Sequence, residues 1–140
     1  MRVLYLNPFS QEVSGPDESL RTLLGELVPM GVEAHVVLPV PGPQVERYQR
    51  LGAAVHIAPL AAIRRDLSAA TAAYPIHLLV SAARVGGIAR RIGADLIHTN
   101  MEVLLEGALV ARATRIPHVL HYRGNTNDDP KWVFDALTAA

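Results

Sequence analysis

This sequence predicts an α/β fold built on a parallel sheet, and three observations carry the prediction. Short apolar runs rich in Val, Leu and Ile alternate with segments whose apolar residues recur at helical spacing. Between successive runs lies enough chain for a helical crossover, punctuated by Pro and Gly. The second run is almost continuously apolar, as expected of strands covered on both faces.

Taken in order, the first strand is Arg2–Leu6, followed by a loop whose turn residues are Asn7, Pro8, Ser14, Gly15 and Pro16. A helix from near Pro16 to Val28 follows, with Leu20, Leu23, Leu24 and Leu27 along one side. Ser14 and Asp17 fit a capping pair, Pro16 suits an early helical position, and Asp17 and Glu18 complement the positive end of the helix dipole. Pro29 and Gly31 end this helix. The second strand is Ala34–Leu38, the turn Pro39–Pro43 follows, and a short helix covers Gln44–Leu51 before the stop at Gly52. Ala54–Ala58 is the third strand. Pro59–Tyr74 reads as a loop with some helix, and Ile76–Ile92 as a helix whose stripe is Leu78, Ala82, Val85, Ala89 and Ile92. Gly86 and Gly87 weaken that helix or allow close packing. The fourth strand is Asp95–Thr99 and the next helix Glu102–Thr114. Pro117–Tyr122 forms the fifth strand, Arg123–Pro130 a polar turn, and a last helical pattern starts at Lys131 with Val133, Phe134 and Leu137 apolar. Right-handed crossovers then favour a doubly wound, Rossmann-like layout with sheet order 3-2-1-4-5. Its switch point falls between the first and fourth strands, so ligands should collect at the ends of strands one, four and five.

Composition narrows the function. The 140 residues are 50% hydrophobic and 19% charged, which argues for one folded domain and against disorder. Thirteen basic and thirteen acidic residues cancel, leaving no global field to attract nucleic acid. Cysteine is absent, which removes disulfides, thiolate catalysis and cysteine metal sites. There is no signal-peptide pattern and no apolar run of the ~20 residues a membrane span needs. The expected location is the cytoplasm, with peripheral contact at the inner membrane face left open. G-x-G-x-x-G is missing after the first strand, as are the P-loop and the G-x-S-x-G elbow, which disfavours nicotinamide enzymes, P-loop ATPases and serine hydrolases.

Several residues are candidates for a site, each with a plainer alternative. Ser14 and Gly15 precede a helix start, where unpaired N–H groups attract anions, or they form a simple capping turn. His121 and Arg123 share one side near the end of strand five. The imidazole could bind a sugar hydroxyl and the guanidinium a phosphate, or His121 could pack beneath a loop. Asn100 offers a donor and an acceptor at the end of strand four. His98 reads better as a core histidine bonded to backbone. His118 and His121 should face opposite sides of the sheet, so no metal site is expected from them. Arg64, Arg65, Arg84, Arg90 and Arg91 could form a face toward anionic lipid, or a solvated helix surface.

Together, RVLYLNP, SGPDESLRTLLGEL, MGVEAHVV, ADLIHTN and IPHVLHYRG resemble the N-terminal half of a GT-B glycosyltransferase of the retaining family 4 type. The resemblance implies residues 1–140 to be the Rossmann-like, acceptor-side domain. The nucleotide-sugar-binding C-terminal domain, with its basic pair and glutamate-x7-glutamate element, is expected as a partner outside them. It maps the family's sugar-contacting histidine onto His121, its donor-phosphate loop onto Ser14 and Gly15, and its acceptor cleft onto Asn100, with Asn7 beside it and Arg123 toward the phosphates. One departure is that Gly15 precedes Pro16 where the family has paired glycines. The implied activity is hexosyl transfer from a nucleotide-diphosphate sugar to an acceptor with retention, using no cofactor beyond that co-substrate and no metal. The domain alone should not turn over, and an uncovered apolar edge would favour self-association. The rivals are a nucleotide-sugar epimerase of the same fold and a non-catalytic Rossmann-like binding module.

Overall fold

The computed structural model describes residues 1–11, 13–63 and 70–123. The expectations for Arg64 and Arg65, for the turn after Arg123 and for the helical pattern from Lys131 lie outside those residues. Nine elements alternate along the chain: β1 Arg2–Leu6, α1 Gly15–Leu27, β2 Glu33–Leu38, α2 Pro43–Arg50, β3 Ala54–Ile57, α3 Ala70–Ile92, β4 Leu96–Thr99, α4 Glu106–Thr114 and β5 His118–Leu120. All strand pairs are parallel, and the sheet order is β3-β2-β1-β4-β5, as the crossover rule predicts.

Alternation along the strands divides the core into two layers. Leu4, Leu6, Val37 and Ile97 face α3 and α4, meeting Val85, Ala89 and Val110. Val3, Tyr5, Val36 and Leu38 face α1 and α2, meeting Leu20, Leu24 and Tyr48. Leu4 and Leu6 are fully buried at the centre of the sheet, each contributing about 2 kcal/mol from burial alone.

Three boundaries differ from the sequence expectation. Helix α4 starts at Glu106 and not at Glu102. The Val103 carbonyl, which a longer helix would need, instead accepts the Ile63 N–H at 2.9 Å. Glu102 meanwhile accepts the Arg123 N–H at 3.0 Å. Tertiary hydrogen bonds therefore compete successfully with the local helical pattern. Helix α3 runs through Pro75 and begins at Ala70. Pro75 lies in its second turn, where the missing N–H removes a single helical bond. Finally, β5 is only three residues long, although the His121 N–H still reaches the Thr99 carbonyl at 2.8 Å.

Close packing between layers falls on a different glycine from the two anticipated. A Cβ on Gly86 would meet Val110 at 3.7 Å and one on Gly87 would meet nothing within 4 Å, whereas one on Gly107 would lie 1.9 Å from Thr99 Oγ1. Gly107 thus lets α4 lie against β4.

Candidate functional site

The C-terminal ends of β1, β4 and β5 and the start of α1 converge at the switch point. Leaving β1, the Asn7 N–H continues the ladder to the Val37 carbonyl at 3.1 Å, and its side chain is fully buried. Asn7 Nδ2 is 2.7 Å from Asp17 Oδ1, 3.1 Å from Tyr48 Oη and 3.1 Å from the Phe9 carbonyl. The other end of the amide, Oδ1, accepts from Asn100 Nδ2 at 3.1 Å. Asn100 is also fully buried, and its amide lies 3.2 Å from the Pro16 carbonyl. The two asparagines therefore lock the end of β1, the end of β4 and the first turn of α1 together.

At the helix start, Ser14 has extended dihedrals and serves as N-cap. Its N–H donates to Asp17 Oδ2 at 2.9 Å, and its hydroxyl donates to the same oxygen at 2.5 Å. The buried Asp17 carboxylate, with Glu18 beside it, already complements the positive end of the helix dipole. Burial pushes the neighbouring Tyr48 hydroxyl well above its usual range, and the charges of Asp17 and Glu18 push it further. Gly15 is exposed, and a Cβ there would meet nothing within 4 Å, so no contact within the described chain demands a glycine.

Beyond β5, Arg123 reaches back across the site. Its Nε donates to the Asn100 carbonyl at 3.1 Å. Its Nη2 lies 3.1 Å from Asn100 Oδ1, 3.0 Å from Ser19 Oγ and 3.1 Å from His121 Nδ1. A guanidinium only donates, so in this contact Nδ1 of His121 is the acceptor and its ring proton rides on Nε2. His121 is exposed. It is thus presented as an N–H donor, held by a cation that a buried asparagine orients.

His98 supports that ring from beneath. Its centroid is 5.2 Å from His121 and 5.2 Å from Tyr5, both contacts edge-on. The expectation of a core histidine is met in burial, with 5% exposure. The expected backbone bond is not found at Nδ1, which has no partner among the described residues. Burial first, then the electrostatic influence of His121, Arg123 and His118, brings its pKa down to about 4, so the ring is neutral. His118 lies on the opposite face, 2.9 Å from Thr99 Oγ1, as alternation requires.

All six residues singled out from the sequence, Asn7, Ser14, Gly15, Asn100, His121 and Arg123, belong to this one edge. Sequence reading missed the burial of Asp17 and the roles of Ser19, Tyr48 and Glu102. Asp17 carried a capping signal, but nothing local ties Tyr48 to Asn7 or Ser19 to Arg123.

Comparisons with known proteins bear on the family and the fold. Residues 14–139 match the family model of the glycosyl transferase 4-like domain. No curated protein matches significantly. Among solved structures, MurG of Acinetobacter baumannii superposes with a TM-score of 0.67 at 15% identity, over 99% of this chain and 38% of that one. HepE of Anabaena, in complex with UDP-glucose, gives 0.68 at 18% identity, over 99% and 34%. The Streptomyces glycosyltransferase SsfS6, complexed with thymidine diphosphate, gives 0.63 at 19%, over 99% and 42%. At these identities the likeness concerns the fold. The chain spans well under half the length of each of these neighbours.

Proposed function

The chain belongs to the glycosyl transferase 4-like family, and from that premise we propose that it forms the acceptor-side half of an enzyme transferring a hexose from a nucleotide-diphosphate sugar with retention. Turnover in this reading requires a second, nucleotide-binding domain closing over the edge described above. His121 donates its Nε2 proton as a hydrogen bond to a hydroxyl of the transferred sugar, positioning it instead of acting as a base. Arg123 keeps that donor oriented and places a positive charge beside α1, where it favours the departing diphosphate. The exposed backbone at Gly15 offers the approach for that group, while the Ser14 N–H and hydroxyl stay on Asp17 and fix the turn. Asn7 and Asn100, buried and fully engaged, act by holding the three strand ends in register and shape the acceptor cleft without entering it. The cytoplasm suits such a donor, and self-association of this domain is expected wherever the second domain does not cover that edge.

The observation that carries the reading is the exposed His121, with its acceptor nitrogen occupied by Arg123, at the switch point of a sheet whose sequence matches a glycosyltransferase family. The test uses the protein spanning both domains, a panel of nucleotide sugars and proton NMR of the product anomer. His121→Ala should lower kcat by on the order of a hundredfold or more, with the donor's anomeric configuration kept in the wild-type product. An inverted product, or full activity of His121→Ala, would sink it. Rapid transfer by the 140-residue chain alone would refute the need for a second domain.

A further inference from the structure

Past the end of a strand the backbone has no ladder to hold it, so single hydrogen bonds decide where its side chains point. On β5 the ladder runs as far as the His121 N–H, which reaches the Thr99 carbonyl at 2.8 Å. Two residues further, the Arg123 N–H goes not to a strand but to a side chain, Glu102 Oε2 at 3.0 Å. Glu102 lies in the turn between β4 and α4 and is only 7% exposed. A carboxylate in such a place needs a donor, and a bond from N–H to a carboxylate is about twice as strong as one to a neutral oxygen. The turn also departs from its own helical pattern, since α4 begins only at Glu106. Glu102 is thus set aside from the helix and holds the backbone of Arg123.

At the other end of Arg123, the guanidinium is over-subscribed. Nη2 carries two hydrogens, yet it faces Ser19 Oγ at 3.0 Å, Asn100 Oδ1 at 3.1 Å and His121 Nδ1 at 3.1 Å. Nε is committed to the Asn100 carbonyl at 3.1 Å. Asn100 is fully buried and Ser19 half-buried, whereas His121 stands in solvent. Water replaces a protein partner most readily at the exposed group. The imidazole contact is therefore the first to be lost when Arg123 shifts, and its survival depends on what pins the backbone.

We infer that Glu102 is a positioning residue for His121: by pinning the Arg123 N–H it keeps Nη2 on Nδ1, and so keeps the ring proton on Nε2, facing the ligand. Glu102 itself touches no sugar. As a role in transfer, the inference rests on the reading of His121 as the group that binds the transferred sugar. As a statement about the tautomer, it stands on the hydrogen bonds alone. Ser19 has the opposite effect, because it competes with His121 for the same nitrogen.

Nitrogen NMR of His121 in the 140-residue chain at pH 8 tests the tautomer. Glu102→Leu fills the buried space without an acceptor and should turn the single Nε2-protonated form into a mixture. Glu102→Gln, whose amide oxygen takes the same N–H, should restore the single form. Ser19→Ala removes the competitor and should leave the proton on Nε2. Circular dichroism and the urea midpoint check that each variant folds. In the protein spanning both domains, Glu102→Leu should lower kcat on the order of tenfold and change the donor KM by less than about twofold, with Glu102→Gln recovering most of the loss. The inference is overturned if Glu102→Leu keeps the single tautomer or the parental kcat, or if Glu102→Gln is as damaging as Glu102→Leu. It is equally overturned if Ser19→Ala mixes the tautomers as strongly, since any disturbance around Arg123 would then suffice. A parent protein that shows these tautomers but transfers no sugar would sink the transfer reading and leave the tautomer assignment supported.

Discussion

His98 makes the stability of this domain depend on pH in a calculable way. Its ring is buried between Tyr5 and His121, and its pKa falls from 6.5 to about 4. The unfolded chain takes up this proton below pH 6.5, while the folded chain resists until about pH 4. Between those values the unfolded state binds more protons, so stability rises with pH and is lost as pH falls. The complete effect, reached below pH 4, is about 3 kcal/mol. Between pH 7.5 and 5.5 the same two pKa values give about 1.3 kcal/mol. With an m-value of about 1.5 kcal/mol/M in urea, that is a midpoint drop of about 0.9 M. Burial also lowers the pKa of His56 and His118, which adds to the drop in the same direction. The isolating variant is His98→Phe, which keeps an aromatic ring between Tyr5 and His121 and removes both the titration and the unpartnered Nδ1. Urea denaturation of both proteins at pH 7.5 and 5.5 should show the pH-induced drop smaller in His98→Phe by about 1.3 kcal/mol. Equal drops in the two proteins would refute the argument that the buried ring is held neutral.

The remaining predictions concern packing and hydrogen bonding. Gly107→Ala places a Cβ against Thr99 and within 2.8 Å of His118 Nε2, and should cost about 1–3 kcal/mol, seen as a thermal midpoint lower by several degrees. Gly87→Ala, in open space on α3, should instead stabilise by up to about 1 kcal/mol through helix propensity; a reversed order of the two would contradict the packing described. Asn7→Ala strips donors from the buried Asp17 carboxylate and from Tyr48 Oη and should cost about 2–3 kcal/mol by chemical denaturation. Nitrogen NMR at pH 8 should find His121 protonated on Nε2, with Arg123→Gln producing a mixture of tautomers. A proton on Nδ1 of the parent protein would disprove the Arg123 contact.

Helices and strands were legible in the sequence because their signals are local. The stripe through Leu20 and Leu24, the capping pair Ser14–Asp17, and the apolar runs of β1 and β2 each lie within a few residues of one another. Even the strand order followed, since a right-handed crossover rule acts on that same local alternation. The resemblance also brought His121, Asn100 and the Ser14–Gly15 loop together before any coordinates. What it could not supply was how those groups are engaged. The expected start of α4 at Glu102 failed because Glu102 and Val103 find partners at Arg123 and Ile63, far away in sequence.

Residue types and their periodicity therefore determined by themselves that this protein is a doubly wound α/β domain with its polar groups at the strand ends. The tertiary structure alone decided that Asn7 meets Asn100 across 93 positions of chain and Arg123 meets Ser19 across 104. It also decided that Asp17 is buried, and that one face of α3 keeps its apolar residues and arginines in solvent. The physical reason is that periodicity marks which face of an element is apolar. Which neighbour covers that face, and which polar groups lose their water, is set by the placement of β1 between β2 and β4.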